Sequence, residues 1–365
     1  MHHPDFCIAG AGIIGLSLAL ELHRRGATVV VLDQGEPLSQ ASTAAAGMLA
    51  AHDPDNPPQL QPLSDLSSSL YPGYLAYLES LSGIAVPFQT SITLQALALS
   101  HLSPTRGITP AAATAILPQL NPRGQHFLRL DEHSVDPAQL APSLLAAVQA
   151  TSIDLRPNTP VRIVRSKPHN AEIHTSTSTL SAHRYIDCTG AWAISLARYS
   201  HRPVTPKKGQ ILYVALPASL PLNLVVRTPD IYIAPRTTGP HAGRAIIGAT
   251  LEDRGFDTSV HPADIARLHI AAAQLLPALA AAPILESWAG LRPATPDRLP
   301  LMGQLPRHPH CYIATGHFRN GILLAPATAH VMAQLLCGET PAIDLTSFSP
   351  ARILSHPARN TPIAH

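Results

Sequence analysis

The sequence predicts an α/β fold plus antiparallel β structure: a Rossmann-like nucleotide-binding domain with a second domain built on short strands. Three observations predict it. An apolar run, Phe6 to Ala9, enters Gly10-Ala11-Gly12-Ile13-Ile14-Gly15, continues through a helix-periodic segment to Arg25, and emerges in Thr28-Val29-Val30-Val31-Leu32 before Asp33. Short apolar runs punctuated by turn residues fill Gln210 to Thr250. The chain also returns twice to strands that end on glycine, at Asp187-Cys188-Thr189-Gly190-Ala191-Trp192 and at Ala314-Thr315-Gly316.

The first stretch reads as strand, glycine turn, helix, second strand and acid. Gly10 and Gly12 let the backbone bend and approach a pyrophosphate, Gly15 lets the helix pack on the sheet, and amides at the helix start face negative charge. Asp33, eighteen residues beyond Gly15, is placed to accept from a ribose hydroxyl, which favours FAD or NAD over NADP. This stretch alone leaves FAD and NAD both open.

Length and composition narrow the function classes. A chain of 365 residues with 45% hydrophobic content can fill two cores. Its 25 basic and 23 acidic residues leave a formal charge of +2 without a basic block, so nucleic acid is not an expected partner. Cys7, Cys188, Cys311 and Cys337 lie far apart, the first three in strand-like runs, as buried thiols do in a reducing compartment. The 20 histidines are scattered without an HExxH pattern, and no metal site is expected. Phe6 to Leu20 is interrupted by glycines and followed by charge, unlike a signal peptide, and Ala271 to Leu285 is broken by Gln274, Pro277 and Pro283. A soluble, cytoplasmic protein without membrane insertion is expected.

Downstream of Asp33, the small-residue segment Gln40 to Leu49 has two readings. It is either the start of a tightly packed helix or a backbone that lies against a flat ring or a phosphate, with Ser42 as a donor. His52 to Pro62 reads as a loop. Leu63 to Ser82 is helix-periodic, with a break expected near Pro72-Gly73 and an end at Gly83; Tyr71, Tyr74 and Tyr77 read as packing residues. Short elements follow from Ile92 to Leu130, and Asp136-Pro137 caps and opens a helix to Ala150. Val161 to Ser166, Ala171 to Thr177 and Thr179 to Leu180 read as a small meander leading to the strand before Thr189-Gly190.

Antiparallel strands are then expected at Gln210 to Leu216, Leu222 to Arg227, Asp230 to Pro235 and Arg244 to Thr250, with a helix from Pro262 to Leu276. Within Ile231-Tyr232-Ile233-Ala234 the tyrosine points opposite to its isoleucines, so its hydroxyl faces a cavity or solvent if they face the core. Trp288 to Asp297 sets Arg292 in a rigid, sparsely charged setting. Tyr312 to Gly321 is a strand running into a turn, and Ile322 to Cys337 a helix whose N-terminal dipole faces that turn, ended by Gly338. The tail from Thr346 reads as a surface extension.

Four blocks, Ala9 to Gly26, Ala41 to Ala50, Asp187 to Trp192, and Ala289 to Pro300 together with Gly316 to Thr328, resemble the glycine oxidase family within the D-amino-acid oxidase and sarcosine oxidase group of flavoproteins. The resemblance spans nearly the whole chain apart from the tail. It implies an FAD-binding, glutathione-reductase-type domain made of 1–85, 137–203 and 288–365, and a mixed-sheet substrate domain made of 86–136 and 204–287. FAD would be held noncovalently by Gly10, Ala11, Gly12, Ile13, Ile14, Gly15 and Asp33. Ser42, Ala44, Ala45, Ala46, Gly47 and Met48 would lie beside it, with Val161 at the adenine portion and Thr189, Gly190 and Trp192 at the second strand end. Gly316, His317, Phe318, Arg319, Asn320, Gly321, Ile322 and Leu323 would border the ring.

By the same resemblance, Arg292 and Tyr232 clamp the substrate carboxylate and Arg319 lies in the pocket. A guanidinium matches a carboxylate in a bidentate way and a phenol adds one directed hydrogen bond. The implied reaction is hydride transfer from a neutral amine to flavin N5, with positioning in place of a side-chain base. Imine hydrolysis then gives a 2-oxo acid, glyoxylate from glycine, and ammonia, and molecular oxygen becomes hydrogen peroxide. A role in thiamine thiazole biosynthesis and a homo-oligomer, a tetramer in the family, are also implied. Alternatives are a D-amino-acid dehydrogenase with a quinone acceptor and a sarcosine or D-proline oxidase. For His317 the readings are a donor to flavin or a turn-fixing hydrogen bond; for Arg319, substrate contact or a loop-ordering salt bridge. The chain departs from the family at Leu251, often methionine, in the longer turn Thr238 to Gly243, and in the loop Asp53 to Pro58.

Overall fold

The fingerprint occupies the middle of a six-stranded sheet in this computed structural model, which describes residues 3–97, 107–193, 203–353 and 363–364. The strand order is Leu301–Gln304, Cys311–Thr315, Arg184–Asp187, Phe6–Ala9, Val29–Leu32, Asp154–Arg156. Every pairing is parallel except that of the outermost Leu301–Gln304 with Cys311–Thr315. The two strands flanking Phe6–Ala9 match its apolar run residue for residue, and Cys7, Ile8 and Ala9 are buried. Parallel order places Gly10, Asp33, Cys188 and Gly316 at one edge of the sheet, the edge where open α/β sheets take ligands.

Four helices, Ile13–Arg24, Gln61–Ser82, Pro137–Gln149 and Gly321–Leu336, pack together against one face of this sheet in its largest apolar core. A four-stranded sheet, Ile363–Ala364, Val161–Ser166, Ala171–Thr175, Thr179–Ala182, covers the other face. A seven-stranded sheet follows the order Ile284–Ala294, Thr205–Ala215, Arg244–Gly248, Tyr232–Arg236, Val225–Arg227, Thr93–Ala96, Phe127–Leu130. It is antiparallel apart from one parallel pairing, Val225–Arg227 with Thr93–Ala96, and the helix Pro262–Leu275 packs in its apolar core. Ile284–Ala294 pairs with Thr205–Ala215 along its length and so runs straight through the expected boundary at 287/288. No helix among the described residues is long and apolar enough to cross a membrane.

Two local expectations are corrected, and one open reading is decided. Gln61–Ser82 is one continuous helix without a break at Pro72-Gly73, because its buried face, Leu63, Ser67, Tyr71, Leu75 and Leu78, is held along its whole length. Of the two readings of residues 40–49 the helix is not formed: turns and bends lead to an isolated bridge of Met48 with Ser134, Gly47 takes φ +81°, and a side chain there would run into the Val135 carbonyl. The chain after Thr346 is no free extension as far as Arg352. Phe348 is buried, and the Arg352 guanidinium donates to Asp297 at 2.7 Å. Most of the remaining tail lies outside the described residues.

The helix Gly321–Leu336 contains Pro326, which has no N–H for the Ile322 carbonyl one turn earlier. The neighbouring helix supplies what is missing. The Tyr71 hydroxyl donates to the Ile322 carbonyl at 3.0 Å, while Ser67 donates to the Leu323 carbonyl at 2.5 Å and accepts from the Ala327 amide at 3.2 Å. Ser67 and Tyr71 are one turn apart on one helix face, so they meet consecutive carbonyls of the other.

Candidate cofactor and substrate site

At the fingerprint, the first helical hydrogen bond runs from the Leu16 amide to the Gly12 carbonyl, and Gly12 carries no side-chain cap. The amides of that first turn therefore lack helical acceptors. Ser42 Oγ accepts the one at Ile13, at 3.0 Å, an acceptor role beside the donor role expected of it. The Asp33 carboxylate is fixed by the Ala11 amide at 2.6 Å and the Gly35 amide at 2.9 Å. Burial raises its pKa, against the pull of these amides.

A single cavity of about 530 Å³ begins at these residues. It is lined by Gly10, Gly12, Ile13, Ile14 and Asp33, by Val161 on the small sheet, and by Thr189, Gly190 and Trp192. Ser42, Ala44, Ala45, Ala46, Gly47 and Met48 form one wall, with Gly290 opposite, where a Cβ would stand 2.6 Å from that of Ala44. His317, Phe318, Arg319, Asn320, Gly321 and Ile322 border the same cavity, as do Tyr232 and Arg292.

Four expected cofactor residues do not line it. Ala11 spends its amide on Asp33; Gly15 packs on the Gly10 carbonyl, where a side chain would overlap; Gly316 sits against Thr295; and Leu323 is fully buried in the helical core. They shape the walls from behind.

At the substrate end, the seven-stranded sheet supplies the polar groups. Tyr232 is half-buried while Ile231 and Ile233 are buried, so the alternation read from sequence holds. Its hydroxyl lies near the Arg292 guanidinium, and both line the same cavity. Arg292 also donates to the Thr250 carbonyl at 3.1 Å and the Lys208 carbonyl at 3.5 Å. Burial pushes the Tyr232 phenol up and the Arg292 guanidinium down from their ordinary values. Both side chains are admitted by glycines on facing strands: a Cβ at Gly209 would overlap the Arg292 guanidinium, and one at Gly248 the Tyr232 hydroxyl.

His317 is buried and bonds Thr328 Oγ1 at 3.1 Å; burial lowers its pKa to about 3, so it is neutral at ordinary pH. The turn-fixing reading describes these contacts. Arg319 makes a 2.8 Å salt bridge to Asp53 in the proline-rich loop. Leu251 is exposed at the rim, and the turn after Arg236 contains one 3-10 turn, Gly239–His241.

Sequence reasoning missed Arg227, which lines the cavity, and gave Asp53 no charge partner. Arg227 closes an apolar strand, Val225–Arg227, and a charge at that position was a readable signal. Asp53 had none, since an acid among prolines reads as solvated. Gly209 and Gly248 were missed because cross-strand register is needed to see what they face.

The donors and shape fit a dinucleotide: helix-start amides beyond the one that Ser42 takes, an acid for a ribose, and one cavity continuing past a wall of small residues to a guanidinium and a phenol. Residues 5–335 match the family described as DAO, FAD dependent oxidoreductase. The bifunctional protein ThiO/ThiG of Trichormus variabilis is 36% identical over 353 residues, 91% of this chain. The chain spans about half of that relative's length, 52%. The glycine oxidase of Pseudomonas aeruginosa is 32% identical over 94% of this chain and 98% of its own. The crystal structure of glycine oxidase from Geobacillus kaustophilus superposes with a TM-score of 0.87 at 30% identity, covering 98% of this chain and 100% of that one. With the fingerprint, the cavity and these likenesses in agreement, the chain belongs to the FAD dependent oxidoreductase family and is similar to its glycine oxidases.

Proposed function

We propose that this enzyme oxidises glycine and other small amines or D-amino acids to the 2-oxo acid, glyoxylate in the case of glycine, with release of ammonia, and that molecular oxygen is reduced to hydrogen peroxide. The observation that carries the reading is the Arg292–Tyr232 pair, which faces the same cavity as the fingerprint. Among the described residues Arg292 has no carboxylate partner, so its charge is available to a ligand.

FAD supplies the two-electron acceptor. The remaining work belongs to the chain's own residues. Gly10, Gly12, Asp33 and Val161 would hold the nucleotide portion, and Ala44 to Met48 with His317 to Ile322 the ring. Arg292 would bind the substrate carboxylate, and Tyr232, protonated because burial raises its pKa, would donate to it from Oη. Two contacts on one carboxylate fix the orientation of the α-carbon and its amine. His317 is neutral and bonds Thr328 through Nε2, and no proton transfer is assigned to it. We read 1–85, 137–203 and 295–365 as the FAD-holding unit and 86–136 with 204–294 as the substrate-holding unit, the boundary moved past the strand Ile284–Ala294. The kinship to ThiO/ThiG proteins supports a place in thiamine thiazole formation.

Anaerobic mixing of the yellow enzyme with glycine, sarcosine, D-proline and D-alanine tests this. Loss of flavin absorbance with at least one is expected; retained colour with all would overturn the reading. Peroxide yield per amine in air then separates an oxidase from a dehydrogenase.

A further inference from the structure

Three guanidiniums border the substrate end of the cavity: Arg227, Arg292 and Arg319. Two of them are spoken for. Arg319 bridges Asp53 at 2.8 Å, and Arg227, 4% exposed, reaches Glu132 through Nη2 at 3.3 Å and Asp53 through Nε at 3.8 Å, with Gln95 also accepting from its Nε. Asp53 is itself buried, although it lies in a loop that is otherwise polar and proline-rich. A carboxylate placed there meets a large desolvation cost, which the two guanidiniums offset. Arg292 is left as the one member of the three without a carboxylate partner among the described residues.

The consequence concerns which substrates fit. A site with one unpaired guanidinium matches a substrate with one carboxylate. A second carboxylate would have to displace Asp53 from Arg319 or lie beside it, like charge against like charge. Arg227 Nη1 is buried without a hydrogen-bond partner among the described residues, so a further donor for an anion belongs to the same group. Resting on the assignment of Arg292 and Tyr232 as the carboxylate clamp, we propose that Asp53 is a specificity-determining residue that neutralises Arg319, shares the Arg227 charge with Glu132, and restricts the enzyme to monocarboxylic amines. It acts through those arginines and is a positioning residue.

Sarcosine and iminodiacetate form a matched probe pair, differing by a carboxylate in place of one hydrogen; D-alanine and D-aspartate form another. The wild-type holoenzyme is expected to prefer the monocarboxylate of each pair in kcat/KM. Asp53→Asn keeps the side-chain shape and removes the charge. It is expected to raise the dicarboxylate-to-monocarboxylate ratio by roughly tenfold or more, the scale of one hydrogen bond to a charged group, whereas Asp53→Glu should hold the ratio nearer to wild type. An unchanged ratio in a folded, flavin-loaded Asp53→Asn protein would overturn the proposal. A binding measurement on the wild type decides the matter if that variant does not fold: acetate should perturb the flavin spectrum at lower concentration than malonate, and the reverse order would overturn it. Because this titration needs no turnover, it separates a failure of the charge argument from a failure of the proposed reaction.

Discussion

Gly209 stands beneath Arg292 with no room for a single added carbon: a Cβ there would overlap the guanidinium, and the two residues lie on adjacent strands paired through Gly209 and Gly290. The guanidinium's position is therefore set by what the neighbouring strand lacks. Gly209→Ala should push Arg292 off its carbonyl contacts and raise KM for glycine by roughly tenfold or more, the loss of one charge-assisted hydrogen bond. Steady-state kinetics against glycine would show this, with Arg292→Ala as the limiting case; an unchanged KM in both would mean that the substrate carboxylate binds elsewhere.

The repair of Pro326 by Tyr71 and Ser67 predicts a coupling between helices. Tyr71→Phe leaves the buried Ile322 carbonyl without a donor and should cost about 1–3 kcal/mol. Pro326→Ala gives back an N–H one turn below that carbonyl. The double variant Tyr71→Phe/Pro326→Ala should lose less stability than the two single changes summed, a non-additivity that thermal unfolding of the holoenzyme would reveal. Simple additivity would show that the hydroxyl does not stand in for the missing amide.

These two relationships mark the line between what the sequence makes legible and what it does not. Periodic signals carried the strand Phe6–Ala9, the cap at Asp136, the alternation around Tyr232 and the helix before Gly338, because each depends on residues a few positions apart. The Asp136 carboxylate does accept from the Ala138 amide, at 3.1 Å. Pro72 misled, because proline in an isolated helix breaks it whereas a helix buried along one face tolerates it. Asp53 with Arg319 lies 266 positions apart in the chain, and Gly209 with Arg292 is visible only once strands are in register. The walls of the cofactor cavity were legible; the charge balance at its far end was not.

His317 gives a pH dependence with a defined sign. Its folded pKa, about 3, lies below the ordinary 6.5, so the unfolded chain binds the extra proton first. Stability associated with neutral His317 is fully present above about 6.5 and declines as pH falls toward 3. Unfolding midpoints measured from pH 7 to pH 4 should fall more steeply for wild type than for His317→Gln, which has no titrating ring and can still bond Thr328. Parallel slopes would place the ring in a more polar setting than burial indicates. Because the ring remains neutral throughout the range near pH 7, the kcat profile there should carry no inflection from it.

Asp33 offers the most direct test of cofactor anchoring. Each carboxylate oxygen already accepts one backbone amide, from Ala11 or from Gly35, and each keeps further lone-pair capacity for a ribose hydroxyl. Asp33→Asn preserves the outline but turns one acceptor into a donor that must face either an amide or the ribose. Whichever way the amide group turns, one existing or intended hydrogen bond becomes a donor facing a donor. The dissociation constant for FAD should therefore rise by roughly tenfold or more, read from flavin fluorescence released on dilution. Asp33→Ala, which removes the acceptors without adding a donor, should weaken binding comparably or less. If neither change alters FAD retention, the ribose does not reach Asp33 and the helix-start amides carry the nucleotide without it.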